Sequence, residues 1–458
     1  MKHLGFQFLV ILSLTVAARS ALADSRPRYG GTLHVAMQTA LALLDPAERT
    51  EPDSIARRSL TSLLFETLVV TDATGRVQPW LSDRWEASRN HQHWQFHILA
   101  GVKFSDETSL TAEFSAASLR VSNPDWNVSV QGDEVIIDID SPDPELAAEM
   151  ALPHNAIAKR NGTGLVGTGP FHVTEWQPAK KLALAASENC WRGRPFLDAI
   201  EIEMGRNVRD QLTALDLGKD DLVEIAPEQV RRFPREKYSL LLSQPILLFA
   251  LQFGHAATTP DDKLLRQALG LAIDRSSIGT VLLQGEGQPT AGLLPSWISG
   301  YGFVFPAQAD LPKARQLIAQ VRTPASWTLA YSGNDSLART LSERISLNAR
   351  DAGLAVQIAS SSAAADMRLL AIPIASSNPW ISLRKLLSTA GIADGDQQRG
   401  GSLEDLYHSE QSALSSVRLI PLFHLPVAYA SSPRLKRAAI RPDGSWDLSD
   451  AWLEQARP

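Results

Sequence analysis

Short stretches of alternating apolar and polar residues recur along the chain. Residues 30–37, 93–98 and 135–139 all follow this pattern. A period of two places successive side chains on opposite faces, which is typical of a β-strand with one buried face. The longer apolar stretch Leu240–Phe253 is interrupted by Pro245 and two polar residues. We interpret it as a buried strand, because polar interruptions and a proline argue against a long apolar helix.

The second half of the chain changes to a helical period. Apolar residues recur every three or four positions over 261–273, after Asp310 and over about 336–350. Strand patterns over 327–331 and 354–358 lie between and after these helices. Alternating strands and helices predict an α/β fold with mixed sheets, and the length of 458 residues predicts more than one domain.

The N-terminus has the order of a secretory signal peptide. Lys2 precedes an apolar run over 6–18, and Ala21-Leu22-Ala23 precedes Asp24. We expect cleavage after Ala23, because a positive start, a short apolar core and an A-x-A site define such a leader. A membrane anchor is the alternative, but the run is shorter than the ~20 residues that span a bilayer. With no cysteine near the cleavage site for a lipid anchor, the mature protein is expected to be periplasmic and not membrane-spanning.

Composition excludes several classes of protein. The chain is 44% hydrophobic and 21% charged, which is typical of a folded globular protein, and its net charge is −6. Nucleic acid is not an expected partner, because binding it requires a concentrated basic surface. The single cysteine, Cys190, excludes an internal disulfide framework and a cysteine-based zinc site.

No catalytic motif is present in the sequence. The chain has no nucleophile elbow, no H-E-x-x-H, no P-loop and no dinucleotide-binding turn. We therefore predict no enzyme activity, no catalytic residues, no cofactor and no metal site. One alternative stays open: His91, His93 and His97 share one face of a predicted strand, so they either grip a transition metal or form a solvent-facing row.

A set of short motifs, each weak alone, occurs in a recognisable order along most of the chain. They are Tyr29–Leu33, Leu44–Pro46, Leu64–Leu68, Gln78–Glu86, Val102–Asp106, Gly167–Phe171, Trp191–Pro195, Arg266–Arg275 and Ile420–Phe423. In this order they resemble the extracellular solute-binding proteins of ABC importers, the family that includes the oligopeptide, dipeptide and nickel receptors. The resemblance implies a two-lobe periplasmic binding protein that closes over a small solute and delivers it to an ABC permease in the inner membrane.

The resemblance also implies domain boundaries. Residues 24–50, 165–246 and 425–458 would form the main lobe, 51–164 an inserted subdomain of the first lobe, and 247–424 the second lobe. Hinge closure between lobes would remove water from both sides of a solute.

Position within the family pattern implies a set of ligand-facing residues, to which two aromatic residues are added because aromatic faces commonly line such clefts. The expected ligand-binding residues are Thr50, Glu51, Gln252, Tyr301, Ser376, Asn378, Trp380, Phe423 and His424.

Two departures from the family pattern affect the expected chemistry. Where relatives have Asp-Gly-Thr-Pro, this chain has Asp106-Glu107-Thr108-Ser109. Peptide receptors of the family tend to hold the peptide α-ammonium with an aspartate in the segment that here is 374–380, and this segment contains no acid. A buried ammonium without a partner is costly, so we expect a neutral or N-blocked solute unless Glu51 supplies the missing carboxylate.

Two functions fit these observations. The first is a solute receptor of an ABC importer, of the peptide and nickel type. The alternative is a degenerate binding protein that acts as a sensory or scaffolding partner of a membrane complex. An exported hydrolase is disfavoured, because no nucleophile is paired with a base.

Overall fold

The structure is a computed structural model of the chain. It describes residues 26–162, 164–322, 326–332, 335–359, 365–392 and 399–454. The predicted signal peptide and its cleavage site after Ala23 lie outside the described residues.

A seven-stranded sheet organises the main lobe. Its central strand, Thr32–Ala36, runs parallel to both neighbours, and the remaining pairs are antiparallel. In spatial order the strands are Phe171–Gln177, Lys181–Ala186, Ala199–Glu203, Thr32–Ala36, Leu222–Ile225, Ala428–Ser431 and Ser239–Leu242. This arrangement confirms the prediction of mixed sheets, and the predicted strand over 30–37 is shorter by three residues.

A six-stranded sheet organises the second lobe, and it is also mixed. Its strands, in spatial order, are Gln288–Pro289, Leu419–Leu425, Leu247–Phe253, Met367–Pro373, Ser326–Ala330 and Ala355–Ile358. Buried apolar residues cover both faces of the sheet, one against the helices of 260–352 and the other against the helices of 379–415.

A four-stranded antiparallel sheet is formed by residues that lie, along the chain, between the strands Thr32–Ala36 and Phe171–Gln177 of the seven-stranded sheet. Its order is Ser82–Ala87, His93–Ile98, Glu134–Asp138 and Asn127–Gln131. Trp94, Phe96 and Ile98 are buried in its core, as their alternation predicts. Four two-stranded ribbons complete the described strands: Val69–Thr71 with Val77–Pro79, Lys159–Asn161 with Gly164–Val166, Leu435–Lys436 with Trp452–Leu453, and Ala439–Ile440 with Trp446–Asp447.

The described α-helices of seven or more residues begin after a residue whose side chain accepts a backbone N–H of the first turn. Asp310 accepts the Lys313 N–H as predicted, and Gly353 ends the longest helix with a φ of 99°. The α-helices are Ile55–Leu64, Ala112–Ser122, Leu146–Glu149, Val208–Asp216, Pro260–Ala272, Arg275–Val281, Ser296–Ser299, Leu311–Ile318, Ser336–Ala352, Pro379–Thr389 and Leu403–Ser415. Short 3-10 helices cover Pro153–Asn155, Pro227–Arg232 and Gly302–Val304.

The interpretation of Leu240–Phe253 as one strand was wrong. The chain forms Ser239–Leu242 in the seven-stranded sheet and Leu247–Phe253 in the six-stranded sheet. Pro245 lies between them, and proline lacks the N–H that a continuous strand needs. Residues 243–246 thus connect the two sheets, and residues 426–427 form a second connection beside them. The Ser243 N–H donates to the Val427 carbonyl at 3.1 Å, and the Val427 N–H donates to Ser243 Oγ at 2.9 Å. Two hydrogen-bonded connections therefore join the lobes.

Candidate functional site

Two adjoining cavities lie between the inserted subdomain and the second lobe, and a larger cavity of about 920 Å³ lies between the main and second lobes beside residues 426–427. The first, which we call the Trp80 cavity, has a volume of about 300 Å³, and the second, the Arg57 cavity, of about 380 Å³. Thr61, Leu152, Pro153 and Ala375 line both of them. A solute held here would contact helix 55–64, the segment after helix 146–149 and the end of a second-lobe strand.

Arg58 connects the elements around these cavities. It lies in helix 55–64, and only 1% of its surface is exposed. Its guanidinium pairs with the Asp53 carboxylate. It also donates to the backbone carbonyl of Ile374, in the second lobe, and, at a distance of 2.8 Å, to the backbone carbonyl of Asp443. Since a planar guanidinium can donate in several directions at once, one side chain holds three segments together.

Glu66 stands at the wall of the Trp80 cavity, and three donors hold its carboxylate. Oε1 accepts the Trp80 indole N–H at 2.9 Å, and Oε2 accepts the Trp191 indole N–H and the Thr168 hydroxyl, both at 2.8 Å. Burial raises the pKa of Glu66, while these hydrogen bonds oppose the rise. The carboxylate fixes both indoles, whose rings meet edge to face at 5.7 Å.

Two glycines allow the chain to reach Glu66. A Cβ on Gly167 would lie 1.9 Å from the Leu64 carbonyl oxygen, and one on Gly169 would lie 2.7 Å from it. Neither glycine is among those with a positive φ. They are required because the backbone passes against the end of helix 55–64.

Arg192 covers Trp80 on the side of the cavity. Its guanidinium carbon lies 4.3 Å from the centre of the Trp80 ring. Among the described residues, no carboxylate lies within salt-bridge distance of this guanidinium and its side-chain N–H groups have no hydrogen-bond partner, although its charge acts on the nearby Glu66 carboxylate and opposes the rise of the Glu66 pKa. The Trp80 cavity therefore presents one cation that is positioned by stacking and whose donors are unused.

Two charged residues of the Arg57 cavity, Arg57 and Glu149, are held by other groups of the protein. Arg57 donates to the backbone carbonyls of Asp45, Glu48 and Glu51. Glu149 accepts from Lys385 at 2.8 Å, so the cavity has an ion pair between the lobes on its wall.

Two of the nine expected ligand-facing residues line these cavities. Glu51 lines the Arg57 cavity, where its Oε1 accepts the Ala42 N–H at 3.0 Å and its Oε2 is buried without a recorded partner. Ser376 lines the Trp80 cavity, where its Oγ accepts the Asn378 N–H at 3.1 Å.

The other seven lie outside the lining of both cavities. Asn378 caps helix 379–389 and donates to Glu145 at 2.7 Å, which makes it a contact between the lobes. Thr50 is exposed, and its N–H donates to Glu48. Gln252 donates to the Ala390 carbonyl at 2.6 Å, and Trp380 is buried in the second lobe.

Tyr301, Phe423 and His424 lie in the interior of the second lobe. Tyr301 donates to the buried Glu410 at 2.8 Å. His424 contacts the Leu293 carbonyl at 2.9 Å through Nε2, and burial lowers its pKa to about 4, so the ring is neutral and donates this bond. These contacts hold the segment before helix 296–299 against the sheet.

Two histidines of the expected row contact carboxylates, whereas the third, His91, lies outside the strand His93–Ile98, with a φ of 52° and a buried Nδ1 that has no hydrogen-bond partner among the described residues. His93 Nδ1 lies 2.7 Å from Asp138 and His97 Nδ1 lies 2.7 Å from Asp83. Within the part of the chain that the structure describes, no group of three His, Cys, Asp or Glu residues is placed to hold a metal ion.

Sequence reasoning missed the carboxylate in the wall of the Trp80 cavity and the three residues that donate to it, although the motifs that carry the resemblance contain all four. Glu66, Trp80, Thr168 and Trp191 come from four different motifs and meet at one carboxylate. No signal in the sequence marks this convergence, because the donors lie 14, 102 and 125 positions from Glu66 along the chain.

Comparison with known proteins now identifies the family. The model of bacterial extracellular solute-binding proteins, family 5 (middle part), matches residues 76–371, which is more than half of the chain. The chain belongs to this family. The structure of this chain is similar to that of a dipeptide-binding protein from Pseudoalteromonas sp. SM9913, solved in complex with Met-Leu. This similarity confirms the two-lobe fold that the sequence predicted. Its TM-score is 0.78 at 15% identity, covering 93% of this chain and 100% of that one.

Two curated relatives bind nickel according to their names. The nickel-binding protein NikA of Staphylococcus aureus is 25% identical over 241 residues, 49% of this chain and 49% of the relative. The nickel-binding periplasmic protein of Escherichia coli is 24% identical over 347 residues, 65% of this chain and 66% of the relative. The aligned part of this chain thus spans about half to two thirds of these relatives. In the described residues, no helix is long and apolar enough to cross a membrane.

Proposed function

We propose that this protein is an exported receptor that captures a small solute between its two lobes and delivers it to an ABC permease of the inner membrane. The observation that carries the proposal is the pair of adjoining cavities between the lobes of a family 5 solute-binding protein. The signal peptide expected over 1–23 and the periplasmic relative support a periplasmic location. The relatives are named as binding proteins, which supports a role in binding without catalysis.

The paired crossings support closure by a hinge. The strands of the two large sheets are joined through residues 243–246 and 426–427, which hydrogen-bond to each other. The membership of strands in the three larger sheets supports the division into a main lobe of 24–50, 165–246 and 425–458, an inserted subdomain of 51–164 and a second lobe of 247–424. A bend confined to two neighbouring connections would let the lobes part as rigid bodies.

The solute that we propose is small and carries no free ammonium group. The second-lobe wall of the Trp80 cavity is Ala375, Ser376 and Ser377, and none of them can neutralise an ammonium. The substitute that we considered, Glu51, has one oxygen bonded to the backbone and the other buried from water. Neutral or N-blocked solutes fit this wall better than free peptides do.

The test is native mass spectrometry of the protein purified from its own periplasm. We expect a co-purifying small molecule that is released when the lobes are unfolded. A preparation that is empty, and that also shows no thermal stabilisation with a broad library of small solutes, would contradict a receptor function. Sequencing of the N-terminus in the same preparation tests the expected start at Asp24.

A further inference from the structure

Arg192 and the hydroxyl groups of the Trp80 cavity define the chemistry of a solute more narrowly. This inference rests on the proposed receptor function. The guanidinium of Arg192 lies over the Trp80 ring at 4.3 Å. Stacking occupies the face of a guanidinium and leaves the N–H groups in its plane free to donate, in the geometry that matches a carboxylate.

Every carboxylate on the lining of this cavity is already engaged. Glu66 accepts two indole N–H groups and a hydroxyl. Asp443 accepts from the Ser445 N–H and Oγ, at 3.0 and 2.7 Å. Asp447 pairs with Arg441, the other cation of the lining, at 3.4 Å. Arg192 is therefore the cation of the described lining that has no carboxylate at salt-bridge distance, and the nearby Glu66 carboxylate, which acts on it only through charge, keeps its own three donors.

The hydroxyl groups of the same lining are oriented to accept. Four of them donate their hydrogens to backbone carbonyls, and so their oxygens keep lone pairs for other donors: Thr61, Ser62, Thr67 and Ser377. An uncharged amide N–H suits such acceptors, because it needs a hydrogen bond but no counter-charge.

We propose that the Trp80 cavity selects a solute that bears a carboxylate and an uncharged amide nitrogen, with Arg192 as the residue that recognises the carboxylate. An N-acylated amino acid or short N-blocked peptide has this chemistry. Arg192 is a specificity-determining residue in this assignment, and Glu66 acts through it by fixing the Trp80 ring on which it stacks.

The experiment uses four pools of the same dipeptides: unmodified, N-acetylated, C-amidated, and both N-acetylated and C-amidated. Binding to the full mature protein is read by native mass spectrometry and by tryptophan fluorescence. The variants are Arg192→Gln and Arg192→Lys, and the control is Arg89→Gln. Arg89 is exposed, lies outside both cavities and has no side-chain partner among the described residues.

We expect the N-acetylated acids to bind tightest. Amidation of their carboxyl group should weaken binding about tenfold or more, as loss of a charge-assisted hydrogen bond does. Arg192→Gln should weaken the acids by a similar factor and leave the doubly blocked pool unchanged, while Arg192→Lys recovers part of the loss and Arg89→Gln has no effect.

Three results would overturn the assignment: equal binding of acids and amides, preferred binding of the pools with a free amine, or displacement of the acids by inorganic phosphate. Binding of no pool at all would also overturn it. The receptor function is judged separately, by the co-purification experiment, which does not depend on the charge of the solute.

Discussion

Lys385 Nζ lies 2.8 Å from Glu149 Oε1, and this ion pair joins helix 379–389 of the second lobe to the segment that carries the four-stranded sheet. Arg384, the preceding residue, pairs with Asp143 and also with Glu149, at 3.3 Å. The side chains of Asp143 and Glu149 are only 5% and 11% exposed. The lobes are thus held together beside the Arg57 cavity by charges that are shielded from water.

Removing this contact should destabilise the folded protein. In a double-mutant cycle of Glu149→Gln and Arg384→Gln, we expect a coupling of about 1–3 kcal/mol in the free energy of unfolding, because a shielded pair loses little to screening. Chemical denaturation measures it. The control cycle is the exposed pair Arg339 and Glu343, for which about 0.3–0.5 kcal/mol is expected. Equal coupling in the two cycles would contradict a special role for the contact between the lobes.

The same contact should be sensitive to acid. Burial opposes ionisation of Glu149, but Lys385, His154 and Arg384 outweigh it and hold its pKa well below the usual range. A depressed pKa contributes stability above the unfolded-state value of about 4.3, and the contribution is lost as the pH falls below it. The stability difference between the wild type and Glu149→Gln should shrink between pH 6 and pH 3 (about the range set by these values). Chemical denaturation at the two pH values measures this. The same stability difference between wild type and Glu149→Gln at both of them would contradict the prediction.

Acid should also destabilise the protein through His424, and this loss should begin at a higher pH than the loss of the Glu149 contact. Burial lowers its pKa from 6.5 to about 4. The unfolded state therefore binds a proton that the folded state does not, so stability falls as the pH drops from about 6.5 towards 4. At pH 5 the loss should be about 2 kcal/mol, and it should be absent from His424→Gln. Denaturation curves at pH 7.5 and pH 5 (about one unit either side of the unfolded pKa) check this, and parallel losses in both proteins would refute it.

Glu107 occupies a backbone conformation that suits glycine. Its φ is 68°, in the left-handed region that favours glycine. A left-handed conformation costs a residue with a Cβ about 1–2 kcal/mol. Against this, the Glu107 side chain accepts from Asn189 at 2.8 Å and from Lys103 at 3.4 Å, both in exposed positions. Glu107→Gly should therefore raise the free energy of unfolding by about 0.5–1 kcal/mol. Thermal unfolding measures it, and Glu107→Ala, which keeps the Cβ, is the control that should show no gain.

The fold was predictable to the extent that local patterns decide it. The alternation at 93–98 predicted a strand with the correct buried face, and the helical periods after Asp310 and over about 336–350 correspond to the helices Leu311–Ile318 and Ser336–Ala352. The stretch 240–253 was misjudged because hydrophobicity alone does not tell which sheet a strand joins. Its partners, Ala428–Ser431 and Leu419–Leu425, are distant in sequence.

The candidate site was harder to predict, because it depends on contacts between distant residues. Phe423 and His424 follow a family motif, yet the register of their strand places both in the interior of the second lobe. Arg192 gave no local indication of its position, since the cavity exists only when residues near 66, 80, 192 and 376 come together. A pattern of periods two and 3.6 contains no such information.

Glu66 should be the residue on which the shape of the Trp80 cavity depends most. Glu66→Gln keeps the volume but replaces one acceptor oxygen with an NH₂ group, which cannot accept from an indole N–H. Whichever way the amide turns, at least one of the donors Trp80, Trp191 and Thr168 loses its partner. We expect the free energy of unfolding to fall by about 1–3 kcal/mol, the cost of a buried donor left unpaired.

Tryptophan fluorescence tests whether the Glu66 carboxylate fixes the two indole rings, which a stability measurement alone does not show. Loss of an indole hydrogen bond should shift the emission of Glu66→Gln, whereas Glu113→Gln, an exposed control, should leave it unchanged. The variant should also bind the N-acetylated acids more weakly than the wild type, because Arg192 stacks on the Trp80 ring that Glu66 holds. Wild-type emission together with wild-type affinity would show that the two indoles keep their positions without the carboxylate.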